Sequence, residues 1–161
     1  ILSFTSEEAW KSRTYNNSES IHLQSLNDND YIYHDAKLEE KWSEIKEIRK
    51  TVTAALELKR NEKIIGSSLQ AKVIMYLAPN LISNIKNIDM SEICIVSKTD
   101  INKLENKNNS SISFDNDQIY VDVQCAEGAK CVRCWCIKEE VSKNELQLCN
   151  RCDDVWNKVK K

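Results

Sequence analysis

The sequence predicts an α+β chain in three parts: one long amphipathic helix, a small α/β unit, and a C-terminal module built on four cysteines. Three observations predict it. From Leu38 to Leu56, apolar residues recur at steps of three and four, which is the repeat of a helix with one buried face. Two stretches, SLQAKVIMYL and YVDVQC, alternate apolar and polar residues as half-buried strands do. Near the end stand two Cys-x-x-Cys pairs, Cys131/Cys134 and Cys149/Cys152. The chain has only two Gly and one Pro. That favours long regular elements and leaves no Gly-rich phosphate loop.

In chain order, Thr5 and Glu8 have capping-box spacing with Phe4 and Trp10 beside them, which predicts a short helix from Ser6. Residues 14–20 read as a polar loop. Ile21 to Leu26 alternates and reads as a short extended segment, with His22 as a solvated side chain. Residues 27–30 are an Asn/Asp loop. Asp35 to Lys63 reads as one helix of about seven or eight turns, with Leu38, Trp42, Ile45, Ile48, Val52, Ala55 and Leu56 on its stripe. Arg49 and Arg60 fall among the charged positions and read as a solvated face. Gly66 is the expected stop. A strand through Leu69, Ala71, Val73 and Met75 follows, then a short helix opened by Pro79. Ser91–Thr99 reads as a second strand in which Cys94 is a small buried residue. Residues 102–117 read as an exposed loop, and Tyr120–Cys125 as a third strand. The expected divisions are residues 1–65, 66–124 and 125–161.

Each Cys-x-x-Cys turn lets two thiolates converge about 2.3 Å from a zinc ion, and two turns complete a tetrahedron. Both pairs here are Cys-x-Arg-Cys, so one knuckle is used twice. One structural zinc bound by Cys131, Cys134, Cys149 and Cys152 is the expectation. Paired disulfides and unrelated free thiols are the alternatives. Such a site is closed and would fold the segment without activating water. Cys136 and Cys125 are confounders: the first adjoins a knuckle and is an alternative ligand in place of Cys134, the second reads as a stray strand thiol. Arg133 and Trp135 flank a ligand. Held rigidly, they would offer a guanidinium and an indole to phosphate and to a stacked base. Alternatively, Trp135 packs as core. Trp156 reads as part of a closing helix, DDVWNKV.

The net charge of −2 hides local differences. Residues 1–36 are acidic, while 37–63 and 125–161 each carry eight basic and six acidic side chains. Nucleic-acid contact would be local and geometric, with no broad basic field. There is no His-x-x-x-His pair, nucleophile elbow or P-loop, so no catalytic constellation is expected. No apolar run is long enough to span a bilayer. Cysteines grouped as knuckles suggest a reducing cytosol. The chain opens on Ile within an apolar stretch, which suggests a piece of a longer protein.

Three stretches resemble bacterial-type isoleucyl-tRNA synthetases: LSFTSEEAW, RKTVTAALELKRNEKIIGSSLQAKV and GAKCVRCWC…LCNRC. They occur in order from end to end. The middle pattern is Arg49-x-x-Val52…Glu57-x-x-Arg60…Lys63…Gly66…Leu69-x-Ala71, shared more loosely by the valine and leucine enzymes. A finger similar to the terminal one occurs in formamidopyrimidine-type DNA glycosylases. The resemblance implies the end of an anticodon-binding helical bundle, a junction unit and a C-terminal zinc finger. It implies a whole enzyme that joins isoleucine to its tRNA with ATP through an isoleucyl-adenylate and edits mischarged valine (a standard case of limited discrimination). The HIGH and KMSKS signatures and an editing domain do not occur here, so ATP would belong to another part of that enzyme. By position, Cys131, Cys134, Cys149 and Cys152 match the family's zinc ligands. Arg49, Arg60, Lys63, Arg133 and Trp135 are candidate contacts to the anticodon stem-loop of tRNA(Ile). A cytoplasmic monomer is expected, with the rest of the synthetase chain as its other partner. Cys136 departs from the family, where His is common. Rival readings are a free-standing zinc-ribbon nucleic-acid module, a glycosylase fragment, and a docking domain that touches only protein.

Overall fold

The structure is a computed structural model that describes residues 2–13, 19–25, 34–114 and 116–159. It is mixed α and β, as the sequence predicts, and forms two compact units, residues 1–36 and 37–161. In the first, helix α1 spans Ser3–Lys11. It starts three residues earlier than predicted, so Thr5 lies inside it. No side chain caps it, and Leu2 stands before it in a left-handed conformation. Phe4 is exposed and anchors nothing. Ile21–Leu23 is a turn of 3-10 helix, not the extended segment predicted. The Ser20 hydroxyl accepts from His22 N–H at 3.2 Å and donates to Glu7 at 2.8 Å, which closes that turn locally. His22 is exposed, its Nε2 lying 3.1 Å from the Ser3 carbonyl oxygen. The 27–30 loop lies outside the described residues.

Helix α2 spans Ala36–Asn61 and follows its predicted stripe. Ile45, Ile48, Val52, Ala55 and Leu56 are buried, while Leu38 and Trp42 at the start of the stripe are largely exposed. Thr51 is buried too, its hydroxyl donating to the Glu47 carbonyl at 3.2 Å. That back-bond is how a polar side chain is tolerated on a core face. Gly66 does not end the helix. Lys63 does, at φ 60, with Ile64 N–H bonded to Lys59 O and Lys63 N–H to Arg60 O, both at 3.0 Å. This pair is a Schellman closure. Gly66 N–H instead donates to the Gln70 side chain at 2.7 Å, in a capping box with Ser67.

A three-stranded sheet follows in the order β2-β1-β3, with β1 Ala71–Leu77, β2 Lys98–Lys103 and β3 Ile119–Cys125. β1 pairs parallel with β2 and antiparallel with β3. Ala71, Val73, Met75 and Leu77 of β1 and Ile119 and Val121 of β3 are buried. They form one core with the α2 stripe. Helix α3 runs Pro79–Ile85 with Pro79 in its first turn, where a missing N–H costs nothing.

The predicted second strand is corrected: residues 90–94 are helix α4, Met90–Cys94. The Asp89 carboxylate accepts from Ser91 N–H at 2.8 Å and Glu92 stands in the first turn, so a local cap outweighs the alternation of Ile93, Cys94 and Ile95. Cys94 is buried as expected, and burial pushes its thiol up to about 11. The strand comes later, at Lys98, as a polar edge without a fully buried residue. Residues 102 and 103 belong to it and Ile112 bridges to Val121, so the 102–117 segment is less loop than predicted.

Ser97 ties the sheet to the C-terminal module. It is 1% exposed, donates its hydroxyl to Leu69 O at 2.5 Å, and accepts from Ile137 N–H at 2.6 Å. Ser97→Ala strips a partner from two part-buried backbone groups, so stability should fall by about 1–3 kcal/mol. A denaturant titration measures this; an unchanged midpoint would contradict the tie.

Candidate metal centre and nucleic-acid face

The C-terminal module begins with a two-stranded ribbon, β4 Ala129–Lys130 against β5 Ile137–Lys138. The first knuckle fills the space between these strands. Cys131 N–H donates to Cys136 O, and Trp135 N–H to Cys131 O, both at 2.9 Å. Trp135 sits at φ 67, the left-handed step that reverses the chain. The second knuckle is approached through another left-handed step, Gln147 at φ 53, with the Asn144 side chain accepting from Leu146 and Leu148 N–H. Val132 N–H donates to Gln147 O at 3.1 Å, joining the two turns. Helix α5, Asn150–Val159, carries Cys152 in its first turn, and Trp156 on it is 44% exposed.

The chain enters the ribbon through Gly128, at φ 114, directly before β4. A Cβ there would lie 2.4 Å from the carbonyl carbon and oxygen of Lys138, closer than real contacts allow. Gly128→Ala should part β4 from β5 and raise protease sensitivity around residue 130. An unaltered digestion pattern would contradict this.

These elements bring Cys131, Cys134, Cys149 and Cys152 together, all four sulfurs lying within 4.8 Å of one another. Cys134 and Cys149 are 3.6 Å apart, Sγ to Sγ. Four sulfurs about 2.3 Å from a central ion stand roughly 3.8 Å apart, so the donor set fits a tetrahedral metal. All seven cysteines are free thiols in this structure, and the convergence of four sulfurs on one point is the arrangement of a metal site. Burial opposes ionisation of Cys131, but the backbone N–H groups of Cys134, Cys149 and Arg133 outweigh it and bring that thiol down to about 6. Burial pushes Cys134 and Cys149 upward. Four thiolates in so small a volume need a cation to compensate them. Cys125 lies apart, its thiol on the Ile64 carbonyl at 3.4 Å.

Of the other predicted site residues, Trp135 is 60% exposed, so the reading of it as core is excluded. Lys130 stands over its ring, Nζ 4.9 Å from the centroid. The sequence reading missed Lys130, although it directly precedes the first ligand. Arg133 is exposed, and its guanidinium donates to Cys152 Sγ at 3.7 Å. Part of its charge balances the sulfur cluster. Arg49, Arg60 and Lys63 lie on α2 and its cap, apart from the knuckles in sequence. Arg49 lines a hollow of 400 Å³ with Lys46, Lys50, Thr53 and Ala54. Arg60 follows it by eleven residues, just over three turns, on the same face, and is ion-paired with Glu57. Lys63 is exposed.

Residues 1–75 match the family described as the anticodon-binding domain of tRNA ligase. These residues are thus similar to the anticodon-binding domain of tRNA ligases, and the similarity extends well past the matched domain. The chain is 37% identical over 162 residues to the isoleucine–tRNA ligase of Natranaerobius thermophilus, covering 96% of this chain and 17% of that protein. It is 41% identical over 165 residues to that of Caldicellulosiruptor saccharolyticus, covering 96% and 16%. The Listeria monocytogenes enzyme is 38% identical over 161 residues, covering 96% and 17%. Along 96% of its length the chain is similar to isoleucine–tRNA ligases and corresponds to a C-terminal part of them. It spans about a sixth of the length of these relatives. No helix among the described residues is long and apolar enough to cross a membrane.

Proposed function

We propose that this chain recognises the anticodon stem-loop of tRNA(Ile) within a cytoplasmic, monomeric isoleucine–tRNA ligase. The observation that carries the reading is the exposed indole of Trp135, fixed on a metal knuckle with Lys130 beside it. Anticodon bases are unpaired and can be splayed onto such a plane. The whole enzyme would attach isoleucine to its tRNA with ATP, and the aminoacylation and editing chemistry would lie in the remainder of that chain.

In this reading Cys131, Cys134, Cys149 and Cys152 hold one structural zinc. The ion supplies rigidity and charge compensation and takes no part in the reaction. The protein's own residues do the binding. Trp135 stacks a base, Lys130 and Arg133 bring positive charge near the phosphates, and Arg49, Arg60 and Lys63 present a second basic strip along α2. Residues 1–65 are the end of the anticodon-binding helical domain, 66–124 the junction unit and 125–161 the zinc-binding module. The test compares binding of the isoleucine anticodon stem-loop with a scrambled loop and with duplex DNA. Preference for the cognate loop is expected. Equal binding to the scrambled loop would favour a general zinc-ribbon module, and preference for the duplex a glycosylase-like finger. No binding to any of them would leave a protein-docking role.

A further inference from the structure

The four thiols are unequally enclosed. Cys131 and Cys152 are fully buried and Cys149 nearly so, whereas Cys134 is half-buried. A cavity of 470 Å³ runs along the seam between α4 and the module. Cys134 and Cys149 line it, and so does a fifth cysteine, Cys136. The Cys134–Cys149 edge, 3.6 Å between sulfurs, is thus the side of the cluster that a solute can reach. The left-handed step at Trp135 and the bond from Cys131 N–H to Cys136 O fix residue 136 against the first knuckle. Asp89, Glu92 and Glu140 also line the cavity, as do Lys138 and Arg151, so its charged lining is mixed and nearly balanced. Glu92 is paired with Arg151. Cys136 is outside the group of four converging sulfurs, so the geometry makes it a neighbour of the site and no resident of it.

We propose that Cys136 is the transient entry and exit ligand for zinc, acting from this cavity on the Cys134–Cys149 edge. The proposal rests on the reading of the four-thiol cluster as a zinc site. In the exchange the bond from zinc to the Cys134 sulfur breaks and one to the Cys136 sulfur forms. The Cys136 thiol proton ends on Cys134. Zinc remains divalent and no electrons are transferred. Running this swap on the open edge leaves the ion held by the buried sulfurs and presented to the cavity. A small chelator can then complete its removal, or in reverse its delivery.

The test follows zinc transfer from the full-length protein to 4-(2-pyridylazo)resorcinol by stopped flow. The zinc of this site is the increment that Cys149→Ser lacks. Cys136→Ser and Cys136→Ala should keep that increment, and cobalt-substituted protein should keep a tetrathiolate absorption spectrum. Transfer should slow by roughly tenfold, Cys136→His should restore it, and Cys125→Ser should leave it unchanged. Equal rates in wild type and Cys136→Ser overturn the proposal. Loss of zinc from both Cys136→Ser and Cys136→Ala would make Cys136 a resident ligand and overturn it as well. Absence of any zinc increment in the wild type would overturn the zinc reading itself, and the exchange with it.

Discussion

Cys149→Ser should empty the metal site and unfold residues 129–159 while the three-stranded sheet stays folded. The module's core consists of Cys131, Val141, Leu148, Cys149 and Cys152. Only two of these are aliphatic, and burying each contributes about 1.5–3 kcal/mol. A structural zinc contributes on the order of 10–16 kcal/mol in finger peptides, so the metal is the larger stabilising influence. Removing one ligand also strips Cys131 and Cys134 of a common cation, leaving close sulfurs that cannot all ionise. The sheet and α2 have a separate core with no sulfur from the cluster in it. Hydrogen exchange with metal analysis checks the outcome: protection should vanish over 129–159 and persist over 71–77 and 119–123. Full zinc content in the variant would refute the ligand set.

Trp135→Ala should weaken anticodon stem-loop binding and leave the fold and zinc content alone. The indole is 60% exposed, so truncating it removes little packing. The left-handed backbone at 135 is set by the knuckle hydrogen bonds, which do not involve the side chain. What is lost is a stacking plane, worth roughly 1–3 kcal/mol per base, or about five- to 150-fold in Kd. Titration of a labelled stem-loop against wild type and variant measures this directly. Unchanged affinity would remove Trp135 from the interface and leave Arg49, Arg60, Lys63, Lys130 and Arg133 as the remaining candidates.

The readable and unreadable parts of this chain divide along physical lines. The α2 stripe was legible because regular burial from Ile45 to Leu56, a little over three turns, leaves a strong periodic record, and the knuckles because tetrahedral coordination fixes both residue type and spacing. β1 and β3 were legible because one face of each is core. β2 was not: Lys98–Lys103 is a polar edge strand, held by pairing with β1 and with no alternation to betray it. The misleading alternation lies in Ser91–Thr99, where Ile93 and Ile95 flank Cys94. The Asp89 cap and Glu92 three residues later carried the contrary signal, and that local hydrogen bonding governs residues 90–94. At the site, convergence of the sulfurs could be read from spacing. The exposure of Trp135 could not, since a knuckle indole can face either way until the chain reversal at 135 is known. Lys130 and Ser97 matter only through contacts across the fold, the first over an indole five residues on and the second to a backbone forty residues away.

The claim on which the rest turns is that a metal-set knuckle presents the RNA-binding face. The direct measurement is affinity for the isoleucine anticodon stem-loop before zinc is chelated, after chelation, and after zinc is restored. The account predicts a loss of about tenfold or more, roughly 1.4 kcal/mol, that returns with the metal. Equal affinity in the three states would contradict it.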